Sequence, residues 1–501
     1  MATDLEKRMI AGLIVPRLDG ENIESNLDHY LKLARQGIGG FIVFGGEKEA
    51  LAGGLAELRR AAERPLLIMS DLEQGLGQHV AGGTTFPPAM AVAHAVDLEK
   101  GDDLDLFGNM IEIIAGESLA AGINTILAPV ADIHTNPENP IICTRAFGRD
   151  PAAVSSFVGE YIRRLQRTGI AACAKHFPGH GDTDRDSHVE LPALRHDMDR
   201  LQRVELRPFR RAVREGVSML MVGHLRVDAI DHRAPATLSA EVVDGLIRQE
   251  LGFEGVVITD AMNMGAIREE YGEEEACLMA LRAGCDILLH PENPEGVISM
   301  IGGKRGQAGP RIAEADERVR KLLSRLSPYA GANFNSAGSP DRPRAAQFRP
   351  DELVGILSEK ALRVEKGRAG LTGKEIVVII DEDGADSGAV FSETLKARHP
   401  RLSVVRPPVS GTASMPHSRG RPLVAALFSR VAGWKGRSGL SPDNRELLKE
   451  MLGPASETTL ISFGCPSLHA GLEADNLINA WWAGDAAQKA VVRLLCGKSC
   501  L

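Results

Sequence analysis

Between residues 9 and 290 a short apolar run recurs, each time followed by a stretch in which apolar positions return every three to four residues. The runs cover 9–15, 41–44, 66–70, 125–130, 171–175, 218–222, 255–259 and 286–289, eight in all. Unbroken Val, Ile, Leu and Met without polar alternation predict strands buried on both faces. The amphipathic stretches between them, such as 21–36, 104–121 and 198–215, predict the helical crossovers of a parallel sheet. Eight such units in about 300 residues predict an α/β fold closed into a (β/α)8 TIM barrel, with an open doubly wound sheet as the alternative. A long helical pattern after Pro310 ends near Pro328, and 329–350 crowds Gly, Ser, Asn, Pro and Arg together. That composition predicts a linker. Strand-like runs at 376–380, 423–428 and 459–463, alternating with helical patterns at 444–451 and 485–495, predict a second, smaller α/β domain. The expected organisation is a barrel over 1–328, a linker over 329–350 and a C-terminal domain over 351–501.

The 501 residues are 44% hydrophobic and 25% charged, an ordinary globular composition. A single core stops growing at roughly 250–300 residues, so the length implies two domains or one very large one, and two are expected. Charge is unevenly spread: 58 Lys and Arg stand against 67 Asp and Glu overall and 22 against 18 from residue 331 onward, which leaves 36 against 49 in the first 330. An acidic body repels polyanions, so nucleic acid is not an expected partner. No apolar run approaches the ~20 residues a membrane helix needs, and 9–15 is too short for a signal sequence. The expectation is a cytoplasmic protein, monomeric or homodimeric, acting on a small molecule. Seven cysteines (Cys143, Cys173, Cys277, Cys285, Cys465, Cys496, Cys500) form no CxxC pair and read as reduced core thiols.

In a barrel, chemistry gathers where the strands end. The residues closing the runs include Asp71, Asp132, His176, His224, Asp260 and His290. One Asp in such a place more often caps a helix, but six ionisable groups at one end of one sheet need partners or a use. After Lys175 and His176 comes Phe-Pro-Gly-His-Gly-Asp-Thr-Asp-Arg-Asp-Ser-His, ending at His188. In this Gly-rich loop Asp186 and His188 stand at i and i+2, so the carboxylate can orient the imidazole and poise it near neutrality. The rival reading is a metal held by His176, His180, Asp182 and His188. No strand carries an HxH pair and the first ends in Val15-Pro16-Arg17, so neither metal nor cofactor is expected. Asp260 stands at the mouth of a late strand, and Ala261 and Met262 after it leave room for a ligand. A fixed carboxylate facing a mobile acid/base is the minimum machinery for retaining glycoside cleavage.

The Lys175–His188 loop, the strand end Thr-Asp-Ala-Met-Asn-Met-Gly-Ala-Ile at 259–267, the Asn136–Pro151 segment and Pro-Ala-Thr-Leu-Ser at 235–239 resemble glycoside hydrolase family 3, within it the β-N-acetylglucosaminidase (NagZ-like) branch. The C-terminal region is similar, more weakly, to the αβα sandwich of two-domain members. The resemblance implies Asp260 as nucleophile, His188 as general acid/base supported by Asp186, and Asp71, Arg145, Lys175 and His176 as holders of sugar hydroxyls, with His79 and Met262 as further contacts. It implies a retaining exo-β-N-acetylhexosaminidase. A β-glucosidase and a non-catalytic sugar-binding barrel are the other readings, and the natural aglycone is open among peptidoglycan fragment, chitin oligomer and glycolipid. In the segment Asp71-Leu-Glu-Gln-Gly-Leu-Gly-Gln-His79, Leu76 and His79 stand where the family commonly has arginines. A neutral imidazole acid/base does not repel an anionic acceptor, which leaves water and phosphate both open as the group that takes the sugar.

Overall fold

The computed structural model describes residues 3–183, 191–326, 347–407, 418–431 and 435–497. They pack as two units. One comprises Met1–Phe86, Gly108–Thr135 and Arg149–Gln347, the other Pro87–Phe107, Asn136–Gly148 and Phe348–Leu501.

The strands of the first unit are β1 (Ile14–Val15), β2 (Arg17–Asp19), β3 (Gly40–Phe44), β4 (Leu67–Ser70), β5 (Thr125–Ile126), β6 (Ala171–Phe177), β7 (Ala193–Leu194), β8 (Met219–Val222), β9 (Arg226–Val227), β10 (Val256–Thr259) and β11 (Leu288–Leu289). Seven form one parallel sheet in the order β2-β3-β4-β5-β6-β8-β10. Pro16 separates β1 from β2, β11 pairs in parallel with β1, and a bridge from Ile258 to Ile287 ties that end to β10. The sheet therefore curls until its ends meet, in the ring that eight apolar runs predict. β7 and β9 pair with each other outside it. Strands β4, β8 and β10 are buried at every position, as strands covered on both faces must be.

The helices follow the sequence with three differences, one being that the stretch expected over 21–36 opens as a 3-10 turn at Gly20–Asn22 and is helical only over Leu27–Arg35. The first apolar run begins inside a helix, Asp4–Ala11, whose start is fixed by a capping box between Thr3 and Glu6, so the strand starts only at Ile14. The stretch expected as one helix over 198–215 divides into Met198–Arg203 and Leu206–Arg214. Between them Glu205 turns inward and pairs with Arg200 at 3.2 Å. Leu206–Arg214 buries Phe209, which meets Phe177 of β6 edge-on at 5.1 Å and so braces that strand's end. At the opposite end of the ring the wholly buried Asp286 accepts from Arg248 at 2.6 Å, Arg318 at 2.9 Å and the Val257 N–H at 2.8 Å. Burial pushes its carboxyl above the usual range despite the two guanidinium groups. No helix among the described residues is long and apolar enough to cross a membrane.

In the second unit β12 (Arg363–Lys366), β13 (Ile376–Asp381), β14 (Ser403–Val405), β15 (Leu423–Phe428), β16 (Thr458–Phe463) and β17 (Asn476–Asn479) lie in the order β12-β17-β16-β15-β13-β14, parallel except for the edge strand β12. One face packs Phe391, Leu395, Val491 and Leu495 from helices Ala389–Arg398 and Asp485–Cys496, and the other packs Leu448, Met451 and Leu452 from Pro442–Leu452. This is an αβα sandwich. The three sequence-predicted strands are its centre. β12, β14 and β17 carry too few consecutive apolar residues to stand out in the sequence. Of the expected linker, residues up to 346 lie outside the described stretches, and Pro350 opens the helix Pro350–Ala361.

The expectation that all seven cysteines are reduced thiols is corrected for two of them. Cys143 and Cys465, both in the second unit, are joined by a disulfide with Cα atoms 6.0 Å apart. They are separated by 322 residues, a spacing that carries no signal in the sequence.

Candidate active site

Lys175 and His176 lie just before Phe177, which ends the longest ring strand, and are almost wholly buried, so each needs a partner. The Lys175 ammonium lies 2.5 Å from Asp71 Oδ1, at the end of β4, and 2.8 Å from Glu73 Oε1 two residues on. The peptide bond joining Lys175 to His176 is cis. His176 Nδ1 lies 2.7 Å from Oδ2 of Asp132, which also accepts the backbone N–H groups of His176 at 3.2 Å and His180 at 2.6 Å. Asp132 has no exposed surface. Burial pushes its carboxyl up, but His176, with His180 behind it, outweighs that and holds it below the usual range. Two buried acid–base pairs thus stand side by side at the C-terminal end of neighbouring strands.

The loop after His176 is drawn inward. A side chain on Gly181 would put Cβ 1.8 Å from the Ile133 carbonyl oxygen, so only glycine permits this approach. His180 Nδ1 meets Thr183 Oγ1 at 2.7 Å, and burial, then the charge of His176, pushes its imidazole down to about 4. Asp182 accepts from Thr135 at 2.5 Å and pairs with His196. His176, His180 and Asp182, offered by the sequence as metal ligands, thus face three different sets of protein groups. Asp186 and His188 lie outside the described residues.

Across the ring, Asp260 follows β10. The Ala261 N–H donates to its Oδ1 at 2.8 Å, and its own N–H is bonded to the Val222 carbonyl at 3.0 Å, which fixes the carboxylate's root in the sheet. His224, closing β8, is locked between Thr237 Oγ1 at 2.9 Å and the Ala261 carbonyl at 3.0 Å. That bond explains the Pro-Ala-Thr-Leu-Ser motif: its threonine orients a histidine that holds the backbone beside Asp260. Met262 is wholly buried, its N–H bonded to Leu289 at 2.9 Å. Arg145 belongs to the second unit, where its guanidinium donates to the Ile141 carbonyl at 2.9 Å.

A further group borders Asp71. Phe44, the last residue of β3, meets His79 edge-on at 5.1 Å and His290 at 6.1 Å, and the Arg17 guanidinium lies 5.0 Å above its ring. Burial is the largest influence on both imidazoles; it lowers His79 and, with Arg17, lowers His290 to about 4. Sequence reasoning named Arg17 and His290 without giving either a role, and it gave no role to Asp132 or His196. Strand-end position was a signal for Asp132 and His290. For His196 nothing in the local sequence points to Asp182.

In the second unit, Asp381, Glu382 and Asp383 are spent on local structure: Glu382 accepts from Ser441 and Asn444, Asp383 from the Arg430 N–H, and Asp381 from the Ser387 N–H. Trp481 donates from Nε1 to the Ala361 carbonyl at 2.8 Å and stacks on His94 at 4.2 Å, which makes it a core anchor.

Comparison with known proteins follows this chemistry. The chain is 31% identical over 282 residues to a Beta-hexosaminidase A of Pseudoalteromonas piscicida, a stretch covering 52% of this chain and 46% of that one, so this match spans about half of the relative. It is 30% identical over 408 residues to a Beta-N-acetylglucosaminidase/beta-glucosidase of Cellulomonas fimi, covering 78% and 68%. The solved structure of a glycoside hydrolase family 3 beta-N-acetylglucosaminidase from a Paenibacillus species superposes with a TM-score of 0.82 at 29% identity, over 98% of this chain and 96% of that one. Since the model for the glycosyl hydrolase family 3 N-terminal domain also matches residues 8–322, the stretch that builds the ring and its polar mouth, the chain belongs to glycosyl hydrolase family 3.

Proposed function

We propose that the protein is a retaining exo-β-N-acetylhexosaminidase that removes a terminal GlcNAc-type sugar from a small glycoside. The observation that carries this reading is the concentration of buried, partnered polar groups at one end of the ring: Lys175 on Asp71 and Glu73, and His176 on Asp132, with Asp260 rooted on β10. Such groups, already oriented by one another, bind vicinal hydroxyls without reorganising. Relatives named for β-N-acetylglucosaminidase and β-hexosaminidase activity support the sugar class.

In this reading Asp260 attacks the anomeric carbon, and the bond to the aglycone oxygen breaks as that oxygen takes a proton from the His188 imidazolium, which Asp186 orients. The glycosyl-aspartate ester is then opened by water, which gives a proton to the now neutral His188 while Asp260 leaves as a carboxylate. Asp71, Lys175 and His176 hold the sugar's hydroxyls, a role that the family resemblance extends to Arg145. The barrel over 1–328 carries this chemistry, joined through 329–350 to the sandwich over 351–501. The enzyme acts on a small carbohydrate, as a monomer or homodimer, without nucleic acid or membrane. A cytoplasmic role in recycling cell-wall fragments belongs to the same reading, and cell fractionation tests it, since the Cys143–Cys465 bridge fits an oxidising compartment better.

The test is trapping with a 5-fluoro N-acetylglucosaminyl donor and mapping of the labelled peptide. The label is expected on Asp260, and Asp260→Ala is expected to lose about 10⁴-fold or more in kcat with its thermal transition unchanged. A label on another residue, or turnover retained in that variant, rejects the assignment. Aryl glucoside turned over as fast as aryl N-acetylglucosaminide rejects the sugar preference.

A further inference from the structure

Arg17 at the start of β2, Phe44 at the end of β3, His79 in the loop after β4 and His290 after β11 come from four separate parts of the chain, yet they gather on one side of the ring's mouth. Little in the interior explains them. Among the described residues the Arg17 guanidinium makes no ion pair; it lies over the Phe44 ring and acts electrostatically on both imidazoles. Neither imidazole has a hydrogen-bond partner among the described residues, although both are half-buried. His290 also holds φ at 54°, a left-handed conformation that residues other than glycine seldom adopt and that sites tend to retain for a purpose.

The neighbours define what such a group would bind. Asp71 acts electrostatically on both His79 and His290, so the cluster borders the Asp71–Lys175 pair. Leu76, one of the two positions where arginine is usual, is wholly buried and presents nothing to the mouth. Sugar hydroxyls both give and take hydrogen bonds, and sites for them mix donors with carboxylates, as Asp71 and Lys175 do. Arg17 is donor-only, and each neutral imidazole can turn one N–H to a ligand while its other nitrogen is left as an acceptor. With the three placed round a hydrophobic ring, the set complements a group that only accepts.

We propose that Arg17, flanked by His79 and His290 around Phe44, forms an oxyanion subsite at the barrel mouth that takes a phosphate or carboxylate group. In placing that group beside the residues that hold the sugar, the proposal rests on the glycosidase reading. Two sources share this chemistry: an anionic substituent carried by the substrate, and a free phosphate ion.

Calorimetric titration separates them, with N-acetylglucosamine 6-phosphate, N-acetylglucosamine and inorganic phosphate as probes against the full chain and its Arg17→Ala and Arg17→Lys variants. The sugar phosphate is expected to bind the native chain at least about tenfold more tightly than the neutral sugar, as a charged hydrogen-bonded contact allows. Arg17→Ala is expected to remove that advantage and Arg17→Lys to keep part of it. If inorganic phosphate alone shows the Arg17 dependence, the free ion is the source. Affinities for all three probes that ignore Arg17, in variants with an unchanged thermal transition, overturn the proposal. Binding is read without turnover. A chain that hydrolyses no aryl glycoside yet shows Arg17-dependent phosphate binding would therefore refute the proposed activity and leave the subsite standing.

Discussion

Replacing Lys175 by Met tests whether the mouth is built on buried charge. The side chain is 2% exposed, and its ammonium sits 2.5 Å from Asp71 and 2.8 Å from Glu73. Met keeps most of the volume and deletes the charge, leaving two carboxylates close together without their shared cation. Removing one partner of a buried pair costs about 3–5 kcal/mol. Asp71 keeps 28% of its side-chain surface in water while Glu73 keeps 10%, so solvent relieves the first more than the second, and a loss near the lower end, about 3 kcal/mol, is expected. Guanidinium unfolding at pH 7, following the transition of the barrel by itself, measures this. The decisive comparison is Lys175→Met combined with Glu73→Gln. If the penalty is the stranded carboxylate, the double variant is more stable than the sum of the single effects allows, with a coupling of about 1 kcal/mol or more. A Lys175→Met loss under about 1 kcal/mol, or strictly additive single effects, would refute the argument.

Other expectations can be checked on the same preparations. His134 is wholly buried with neither ring nitrogen bonded among the described residues, and burial, then Arg149, lowers its imidazole from 6.5 to about 4. Folding therefore excludes a proton that the unfolded chain accepts, so stability is intact above pH 6.5 and falls toward pH 4, by up to about 3 kcal/mol for this residue. His134→Leu should flatten the stability–pH curve over that window, and an unchanged slope contradicts the assignment. Gly181→Ala drives a methyl group into the Ile133 carbonyl, so loop displacement should cost about 2 kcal/mol and lower kcat, whereas native-like values for both would mean the loop has room to spare. In non-reducing peptide maps Cys143 and Cys465 should appear as one linked species, and reduction should lower the melting temperature; alkylation of both without reductant would exclude the bridge.

The ring was legible because its strands are buried on both faces. Runs such as 219–222 and 256–258 have no polar residue to hide the pattern, and each is followed within two residues by one that chemistry can use, His224 and Asp260. Legibility failed where tertiary contact overrode local pattern. Glu205 looks like one more exposed acid on a helix over 198–215, yet it is buried beside Arg200 where that stretch divides in two, and Pro208 has no N–H to bond back to Val204. β12 exposes three of its four residues and is a strand only because it pairs with β17. The Cys143–Cys465 bridge depends on which loop folds back against the sandwich, and no residue spacing encodes that.

For the site, sequence supplied the reacting groups and structure supplied their supports. Asp71, Lys175, His176 and Asp260 announce themselves as strand closers, but what makes them usable is the second partner each has: Glu73 for Lys175, Asp132 for His176, the Ala261 N–H for Asp260. These partners lie between 1 and 102 residues away, so motif reading finds the nearest and misses the farthest. The two departures from the family pattern, Leu76 and His79, show the same division. From sequence they are two lost arginines. In three dimensions a guanidinium, that of Arg17 at the start of β2, lies over Phe44 beside His79. A cation placed there acts on a ligand from the side of Phe44 rather than from β10, where Asp260 is rooted. Replacing Arg17 should therefore change substrate preference more than catalytic rate, because the groups that act on the anomeric carbon are held by other residues.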